Sequence, residues 1–442
     1  MVLNSADDLE MPDKCVVIVG AGVAGLSAAR DLSKRGYRVC VLEETDHVGG
    51  RVGTQQVGDL AFNRGARLLY SCSKPFSALL EELGLADNLS HARQLTAKTI
   101  GRDACWDVHL MPGPASLFTP GLTFKERYRL VRHAVQLWKL RRRADPDDAT
   151  SVREADDIAL SDYILQTLGE NALSRLVDPI FIGARNWLPD DVSAAFYLST
   201  IPNLFGTSVM SLKPDMQALP DAIASGLDIQ TNARVTRITP GNPCEIQIQR
   251  GGETETLTAA YVICALPGDL VPAVMPSLAD EDSRFFSQVR YSSYGAVHYL
   301  LDCKKEESMQ FYSRDAARGV SLFQASPAGE KTQLYAQLSP DAVARARNEG
   351  RTGQLDQMIA ERMAAICPEL ETHCIERHNQ WIERMLPMFQ PGYCTALRAF
   401  RERRNSAPQR VYFCGDYLYQ ALLNGAVASG HAASGNLVRD WT

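Results

Sequence analysis

The sequence has no excess of basic residues. It contains 46 Lys and Arg against 52 Asp and Glu among 442 residues, which gives a formal net charge of −6. Proteins that bind nucleic acid normally show a basic balance, so this charge argues against a nucleic-acid partner. The sequence also lacks an apolar run long enough to cross a bilayer, because the longest one, Val16 to Ala29, is short and is interrupted by three glycines.

Targeting and disulfide signals are missing as well. The N-terminal stretch MVLNSADDLEMPDKC has no apolar segment, so we expect no secretory signal peptide there. The eleven cysteines form no Cys-x-x-Cys pair, and several stand in apolar runs, where a reduced thiol behaves as a small hydrophobic group. These absences predict a cytoplasmic, disulfide-free protein, and we expect no metal site.

The composition that is present suits a large core. Apolar residues make up 45% of the chain and charged residues 22%, as in an ordinary soluble globular protein. At about 100–200 residues per domain, the length predicts two or three domains. No low-complexity linker separates them, which favours domains that interleave along the chain.

A glycine-rich turn lies near the N-terminus, between a predicted strand at Lys14–Val19 and a predicted helix that ends at Gly36. In this turn Gly20 permits a tight bend, Gly22 allows close approach of a pyrophosphate, and Gly25 allows helix and strand to pack closely. The free N–H groups at the helix start would face the phosphates. The pattern predicts a dinucleotide-binding βαβ unit.

The second strand of this unit, Tyr37–Leu42, ends at Glu43, which follows Gly25 by 18 residues. A carboxylate at this position accepts hydrogen bonds from a ribose 2′-OH and would repel a 2′-phosphate. NADP is therefore disfavoured, whereas NAD and FAD both remain.

The next stretch, His47–Gly53 with the sequence HVGGRVG, separates these two cofactors. It resembles the Gly-Gly-Arg turn of a flavoprotein superfamily that comprises amine oxidases, protoporphyrinogen oxidases and carotenoid desaturases. In that superfamily the turn wraps the pyrophosphate and flavin, and its Arg offsets phosphate charge. Residues 62–67, FNRGAR, resemble the following segment, whose backbone passes under the flavin.

Two distant segments extend the resemblance. Residues 232–238, NARVTRI, resemble the strand whose Val main chain meets the adenine. Residues 411–416, VYFCGD, and 425–433, GAVASGHAA, resemble the C-terminal flavin clamp. There Asp416 would hold the ribityl or pyrophosphate end, and the helix start at Ala426 would aim N–H groups at the flavin. The expected FAD-binding residues are Gly20, Gly22, Val23, Ala24, Gly25, Glu43, Glu44, Gly50, Arg51, Gly65, Ala66, Arg67, Val235, Gly415, Asp416, Gly425, Ala426 and Val427.

The resemblance implies an α/β fold, in which a discontinuous Rossmann-type FAD-binding domain is interleaved with an α+β substrate domain. The FAD-binding domain would comprise 14–72, 213–288 and 393–442. The substrate domain would comprise 73–212, which is mostly helical, and 289–392, a sheet plus a helix. Local patterns predict strands within 227–267 and over 291–302, 332–338 and 409–414, and helices over 355–367 and 425–438.

The residues that distinguish the subfamilies favour a protein similar to protoporphyrinogen oxidases over a typical amine oxidase. Amine oxidases of the group usually carry a Lys in the strand that corresponds to 291–301, YSSYGAVHYLL, which has none. They also flank the substrate with two aromatic residues; one would fall near Leu422, which is not aromatic, and the other near Tyr393 or Cys394. Residues 178–196, 291–301 and 385–393 look like the corresponding stretches of protoporphyrinogen oxidases.

Catalytic side chains are hard to identify, since the flavin itself takes the hydride. His298 is a candidate proton shuttle, although a single His on a strand is more often a hydrogen-bonded structural residue. Arg185 and Tyr294 are candidates to face a substrate carboxylate or ring, with packing as the alternative for each. Cys394 lies near the position at which some amine oxidases bond covalently to FAD. We interpret it as a buried thiol and expect non-covalent FAD.

Residues 125–143 form a predicted basic amphipathic helix with eight Lys and Arg against one acid, Glu126. Such a helix suits peripheral contact with an anionic membrane surface. The alternative is an exposed helix of the domain with Trp138 in the core.

The function expected from these features is hydride transfer from a hydrophobic or aromatic small molecule to flavin N5 of FAD. Molecular oxygen is the expected acceptor, because no second nucleotide motif for NAD(P)H is present. One alternative is an amine or amino-acid oxidase without the usual lysine, in which Arg67 or Arg185 holds a carboxylate. Another is a non-catalytic carrier similar to the GDP-dissociation inhibitors, which share the fold but do not use FAD.

Overall fold

The computed structural model describes residues 15–92 and 95–441. The stretch expected to lack a signal peptide, apart from Cys15, lies outside the described residues. So do Lys14, at which the first predicted strand and the FAD-binding domain begin, and residue 442, at which that domain ends. The element bounds that follow refer to the described part of the chain.

The strands are, in chain order, β1 (Cys15–Val19), β2 (Arg38–Leu42), β3 (Thr54–Val57), β4 (Leu60–Asn63), β5 (Leu69–Tyr70), β6 (Leu89–Ala92), β7 (Thr96–Ile100), β8 (Cys105–His109), β9 (Val209–Leu212), β10 (Asp228–Gln230), β11 (Arg234–Thr239), β12 (Cys244–Arg250), β13 (Glu253–Ala259), β14 (Tyr261–Cys264), β15 (Tyr291–Leu301), β16 (Ser308–Tyr312), β17 (Val320–Ala328), β18 (Lys331–Leu338), β19 (Cys374–Pro387) and β20 (Val411–Phe413).

The α-helices are, in chain order, α1 (Val23–Lys34), α2 (Lys74–Glu82), α3 (Phe124–Leu140), α4 (Leu160–Thr167), α5 (Glu170–Ala172), α6 (Asp178–Arg185), α7 (Ala194–Leu204), α8 (Ala218–Ala224), α9 (Val271–Val274), α10 (Asp280–Phe286), α11 (Pro340–Asn348), α12 (Leu355–Met358), α13 (Ala360–Ile366), α14 (Leu370–His373), α15 (Tyr393–Asn405) and α16 (Leu423–Trp441).

A five-stranded parallel sheet contains the strands of the predicted βαβ unit. Its strand order is β10-β2-β1-β14-β20. Every residue of the central strand β1, CVVIV, is buried, because a strand flanked on both faces needs apolar side chains on both. Three separate stretches of the chain supply these strands, namely β1 with β2, β10 with β14, and β20. The expected α/β class is confirmed, while the domain boundaries stay predictions.

A seven-stranded mixed sheet, β19-β15-β18-β17-β16-β7-β8, forms the other main layer. The long strand β15 lies next to the edge strand β19 and pairs antiparallel with both β18 and β19. Nine of the eleven residues of β15 are buried, so this strand has little contact with water on either face. Helix α6 packs against β16 and β17 of this sheet, and α7 is almost entirely buried.

The helical prediction for 73–212 missed four strands, β6, β7, β8 and β9. In β7 and β8 the buried and exposed residues alternate, so the period-two signal was present in TAKTI and CWDVH. The edge strand β19 was also missed, because its sequence CIERHNQWIERMLP is polar and mostly half-buried. The helix predicted over 355–367 is two short helices, α12 and α13, that meet at Ile359.

Within the described residues, no helix combines the length and the apolar character that crossing a membrane requires. All eleven cysteines are free thiols.

Candidate functional site

A cavity of about 780 Å³ lies between the five-stranded and the seven-stranded sheet. One end, the nucleotide end, is lined by the turn after β1, the end of β2 and the residues around Val235. The other, the distal end, is lined by residues of β15, β16, β17, β18 and α6. The start of α16 and residues 415–417 line the cavity as well, so segments from the whole length of the chain meet here.

The turn between β1 and α1 is shaped by glycine. A Cβ on Gly25 would lie 2.1 Å from the carbonyl oxygen of Gly20, so no larger residue fits there. A Cβ on Gly22 would meet nothing within 4 Å, which means that open space adjoins the backbone at this point. The first N–H groups of α1 have no partner within the helix, and Val23 and Ala24 line the cavity. This cradle fits a pyrophosphate.

The carboxylate of Glu43 lies at the end of β2. Its Oε2 accepts a hydrogen bond from the backbone N–H of Ala21 at 2.7 Å, and its Oε1 accepts from Thr45 N–H at 3.0 Å and from Thr45 Oγ1 at 2.8 Å. These bonds hold the carboxylate against the glycine turn. An ionised carboxylate has about four acceptor sites and three of them are already in use, so capacity remains for a hydroxyl of a ribose.

We predict that Glu43→Ala weakens FAD binding about ten- to a hundredfold, because a charge-assisted hydrogen bond contributes about 1.5–3 kcal/mol. Titration of the apoprotein with FAD, followed by protein fluorescence, measures this affinity. Asp46→Ala is the matched control, because Asp46 is a nearby acid that does not line the cavity and whose side chain is 82% exposed. Unchanged affinity in Glu43→Ala would contradict the assignment of this carboxylate to the ribose.

Arg51 and Asp416 form an ion pair in the middle of the cavity wall. Arg51 Nη2 lies 2.9 Å from Asp416 Oδ1, and Arg51 Nη1 lies 2.9 Å from Asp416 Oδ2. Arg51 Nη1 also donates to the carbonyl of Met385 at 2.7 Å. Asp416 is buried, so the guanidinium compensates a carboxylate that would otherwise be costly to desolvate. The pair joins the Gly-Gly-Arg turn to the C-terminal clamp.

Helix α16 packs directly against α1 at Gly430. A Cβ on Gly430 would lie 2.4 Å from the carbonyl oxygen of Ala24, so the two helix backbones are nearly in contact. Ser429, the preceding residue, accepts a hydrogen bond from Gly415 N–H at 2.8 Å. We assigned no role to Gly430 from the sequence, although it lies within the segment that resembles the flavin clamp.

Most of the residues predicted to bind FAD line this one cavity. The residues that do so are Gly20, Gly22, Val23, Ala24, Glu43, Glu44, Gly50, Arg51, Gly65, Ala66, Arg67, Val235, Gly415, Asp416 and Ala426. Gly25, Gly425 and Val427 lie behind the wall, where Gly25 and Gly425 are sites of close backbone packing. For all eighteen residues, the assignment to FAD stays a prediction.

The distal end combines an apolar wall with a few polar groups. The apolar residues include Leu68, Leu95, Leu110, Met309, Phe311 and Leu322. Two of the three catalytic candidates, Arg185 and Tyr294, lie here together with Arg67. Gln324 and Gln337 were not predicted, because they come from strands whose neighbours in space are far away in sequence.

A chain of hydrogen bonds orients Tyr294. The hydroxyl of Tyr335 donates to Gln337 Oε1 at 3.0 Å, so its single proton is already in use. In the contact between the two tyrosine hydroxyls, the proton therefore comes from Tyr294. Gln337 Nε2 in turn donates to the carbonyls of Ile182 and Gly183 in α6. Burial raises the pKa of Tyr294 well above its ordinary value, so it stays neutral, with lone pairs left to accept a hydrogen bond.

Neither Arg67 nor Arg185 has a carboxylate within ion-pair distance among the described residues. The Arg67 guanidinium lies 4.4 Å from the centre of the Tyr335 ring. The Arg185 guanidinium lies 5.6 Å from the ring centres of both Trp187 and Phe196. Burial lowers the pKa of Arg185, but an arginine stays protonated. The distal end thus contains two cations that lie against aromatic side chains rather than carboxylates, and Arg67 also forms a hydrogen bond with the Tyr335 side chain.

His298 does not line the cavity. It is buried, its ring is stacked 4.0 Å from that of Phe62, and its Nε2 lies 3.0 Å from Gln380 Oε1. Gln380 Nε2 continues this link to the carbonyl of Asn63, at the end of β4. Burial lowers the pKa of His298 to about 4, so the imidazole is neutral at pH 7. These contacts fit a residue that supports β15 and β4 behind the cavity wall.

We predict that His298→Ala slows anaerobic flavin reduction by less than about a hundredfold, because loss of a true general base costs about 10²–10⁴-fold. Stopped-flow measurement of the reduction step alone is required, since turnover also includes product release and reoxidation. With a pKa of about 4, His298 should add no ionisation near pH 6.5 to the reduction rate. A larger loss with unchanged FAD content and folding would assign proton transfer to this residue.

Cys394 is buried at the start of α15 and does not line the cavity. Its backbone N–H lies 3.3 Å from Asp156 Oδ1. Burial raises the pKa of the Cys394 thiol well above its ordinary value, so the nucleophilic thiolate is suppressed. A covalent bond between this sulfur and a cofactor is therefore disfavoured by both its position and its ionisation.

Comparison with known proteins identifies the family. A family model described as flavin containing amine oxidoreductase matches residues 23–438. Coproporphyrinogen III oxidase of Propionibacterium freudenreichii subsp. freudenreichii is 30% identical over 187 residues, which cover 40% of this chain and 34% of that protein. Protoporphyrinogen oxidase 2, chloroplastic/mitochondrial, of Arabidopsis thaliana is 28% identical over 181 residues, or 41% of this chain and 34% of that protein. The alignments thus span about a third of the length of these relatives.

Among solved structures, cyclohexylamine oxidase from Brevibacterium oxydans IH-35A superimposes with a TM-score of 0.73 at 17% identity. The match covers 97% of this chain and 99% of that chain, so the two share their fold over their whole length. The resemblance inferred from the glycine motifs is confirmed by the family match.

Proposed function

The chain belongs to the family of flavin containing amine oxidoreductases, and from this premise we propose that it oxidises a hydrophobic or aromatic small molecule that carries a carboxylate. Membership of this family makes the chain an FAD-dependent oxidoreductase. We therefore do not retain the alternative of a non-catalytic carrier that does not use FAD. The observation that carries the substrate proposal is the pair of arginines without acidic partners, Arg67 and Arg185, at the distal end of the cavity.

FAD would occupy the cavity with its adenosine at the nucleotide end. Glu43 would bind the ribose, the start of α1 would bind the pyrophosphate, and the Arg51–Asp416 pair would lie beside the chain that leads to the flavin. The start of α16 would direct N–H groups to the flavin ring. When bound, the cofactor supplies the ring that accepts a hydride from the substrate.

The distal end would then hold the substrate. Its leucines, Met309 and Phe311 exclude water from the reacting C–H bond. A carboxylate on the substrate would find two guanidiniums that already lie in the interior, and bidentate hydrogen bonds to an arginine fix both distance and direction. The hydroxyl of Tyr294 donates its hydrogen bond to Tyr335. Its oxygen would therefore accept a hydrogen bond from an N–H or O–H of the substrate or from a bound water.

Molecular oxygen is the proposed electron acceptor. The chain has one dinucleotide motif, at Gly20–Gly25, and FAD would occupy the site that it forms. A nicotinamide cofactor would need a second such motif, which the sequence does not contain. Oxygen needs no dedicated binding motif.

An amine or amino-acid oxidase without the usual lysine is the second candidate. The absence of lysine from β15 counts against an amine substrate with the common arrangement. The arginines favour the amino-acid variant of this candidate, because an amino acid always carries a carboxylate. In both candidates the carboxylate lies at the distal end, and they differ in the bond that is oxidised.

The test begins with the purified protein, which should show the near-ultraviolet and blue absorbance bands of FAD. Acid precipitation should release the flavin into the supernatant, because Cys394 is not bonded to it. Folded protein that neither carries nor takes up flavin would contradict the cofactor assignment.

Anaerobic flavin bleaching then identifies the substrate class. Aromatic amino acids, their decarboxylated amines, and reduced tetrapyrroles with free or esterified carboxylates should be compared in pairs. We expect faster bleaching with the free acid in the pair that contains the substrate, and recovery of the yellow colour when air is admitted. Bleaching that is equal with and without the carboxylate would contradict the proposed role of the arginines.

A further inference from the structure

Helix α3 carries two apolar faces, and only one of them is covered by the protein. The inner face is held by Leu137, which is buried, and by His133, whose Nε2 lies 3.2 Å from the hydroxyl of Tyr197 in α7. At the N-terminus, Thr123 and Glu126 form a reciprocal capping box, and Glu126 also accepts hydrogen bonds from Asn171. The helix is therefore a fixed part of the domain.

The outer face presents an apolar stripe to water. Its members recur at alternating spacings of four and three residues, and their exposed fractions are 93% for Phe124, 69% for Tyr128, 49% for Val131, 49% for Val135 and 60% for Trp138. Trp138 is thus not in the core, and the alternative in which it packs there is wrong. At about 1.5 Å per residue, the stripe runs along most of a helix of about 25 Å.

A column of cations runs beside this stripe. Lys125, Arg132 and Lys139 are exposed and recur every seven residues, which places them along one edge of the stripe. No carboxylate lies within ion-pair distance of any of the three in the described part of the chain. The single acid of the helix, Glu126, is buried. The outer face is therefore apolar and positive, in a protein whose net charge is −6.

We propose that the outer face of α3 docks on an anionic lipid surface. The charge of the column is complementary to anionic headgroups, and an exposed stripe with Trp, Tyr and Phe matches the polarity of the interface between headgroups and acyl chains. Because the helix is already folded and anchored, binding needs no ordering of the backbone. This inference does not depend on the substrate or acceptor proposed above.

A second copy of the chain is a less suitable occupant. A two-fold interface places the same patch of both copies together, so the two cation columns would meet within one small contact. Like charges that face each other across an interface are repulsive, and the outer face of α3 supplies no acid to compensate them. An anionic lipid surface can contact the apolar stripe and neutralise the cation column at the same time.

The experiment measures binding of the holoenzyme to lipid vesicles by sedimentation. Vesicles of phosphatidylcholine alone are compared with vesicles of phosphatidylcholine and phosphatidylglycerol in equal parts. We expect binding to the mixed vesicles, weak binding to phosphatidylcholine, and a decrease with added salt. A blue shift of tryptophan fluorescence on binding should disappear in Trp138→Ser.

Two variants and a control separate the contribution of the cation column to vesicle binding from that of the apolar stripe. The triple variant Lys125→Glu, Arg132→Glu, Lys139→Glu should lose at least about a hundredfold in vesicle affinity, since each cation near an anionic surface contributes about fivefold. The variant Phe124→Ser, Tyr128→Ser, Trp138→Ser should lose binding as well. The control Lys98→Glu, Arg237→Glu, Arg345→Glu changes the net charge equally at exposed positions elsewhere and should bind within a few-fold of the parent.

The flavin spectrum of each variant reports whether it is folded. Failure of the parent protein to bind mixed vesicles would overturn the proposal, and so would an equal loss in the control. If light scattering showed a dimer that the Ser variant converts to a monomer, without vesicle binding by the parent, the occupant would be a second copy and the lipid proposal would be wrong.

Discussion

Gly430→Ala is expected to destabilise the protein and to lower its FAD content. The added Cβ would lie 2.4 Å from the carbonyl oxygen of Ala24 and 2.9 Å from Ser27 Cβ, so α16 and α1 would have to separate. Overpacking of this kind costs about 1–3 kcal/mol of unfolding free energy. Both helices begin at the cavity, through Val23 and Ala426, so their separation also displaces the N–H groups proposed to face the cofactor.

Gly435→Ala provides the matched control for this prediction. Gly435 lies on the same helix, and a Cβ there meets nothing within 4 Å. Ala is favoured over Gly in a helix by about 0.5–1 kcal/mol, so this variant should be slightly more stable than the parent. Denaturant unfolding and the flavin-to-protein absorbance ratio measure the two effects. Equal stability of the two variants would show that the helices are not in close contact at Gly430.

Arg67→Met and Arg185→Met are each expected to weaken the binding of an aromatic carboxylate by at least about thirtyfold. Truncating one partner of a buried charge pair costs about 2–5 kcal/mol, and 2 kcal/mol corresponds to about that factor. Benzoate is a suitable probe, because it combines one ring with one carboxylate and its binding near the flavin can be followed by flavin absorbance. Met keeps an apolar side chain of similar length in the wall.

The neutral isostere benzamide supplies the control for the ligand. Its affinity should change by less than a few-fold in either variant, because it has no charge for the guanidinium to neutralise. Arg102→Met, a change at an exposed arginine outside the cavity, controls for the loss of a positive charge as such. If benzoate and benzamide lost affinity equally, the arginines would shape the cavity rather than bind an anion. Retained flavin bleaching by a neutral substrate in these variants would separate this result from a failure of the oxidoreductase assignment.

The distal end, where we propose that the substrate binds, is formed by contacts that no local sequence pattern predicts. Tyr294 was a candidate from the sequence, but its orientation depends on Tyr335 and Gln337, which lie on the neighbouring strand β18. His298 was a candidate of equal standing, and the structure places it behind the wall, against Phe62 and Gln380. Position along β15 alone could not separate the two, because both residues lie on one face of the strand, four residues apart.

Which face of α3 is exposed could not be predicted from the sequence either. The sequence of α3 shows an amphipathic helix, and apolar residues at helical spacing normally predict a core face. The helix has two such faces, and the residues of the outer one, such as Trp138, are as apolar as those of the inner one. Packing against α7 through His133 and Leu137 decides which face is buried.

The sequence by itself determined the nucleotide end of the site, because its requirements are local. A tight turn, a close backbone approach and a carboxylate at the end of the next strand all lie within about thirty residues, and each demands a particular residue type. The family resemblance also predicted Arg51 and Asp416 as FAD-binding residues. It could not show that these two residues form an ion pair, since they are 365 positions apart.

Tertiary structure alone decided the distal end of the cavity and the exposed face of α3. The cations Arg67 and Arg185, the tyrosine pair and the apolar wall come from six or more segments that meet only when the two sheets pack together. A side chain there takes its environment from neighbours that are remote in sequence, so burial, ionisation and the lack of an acidic partner depend on the packing. Local sequence specifies conformation and residue type, whereas the pairing of charges and the choice of buried face depend on contacts between distant segments.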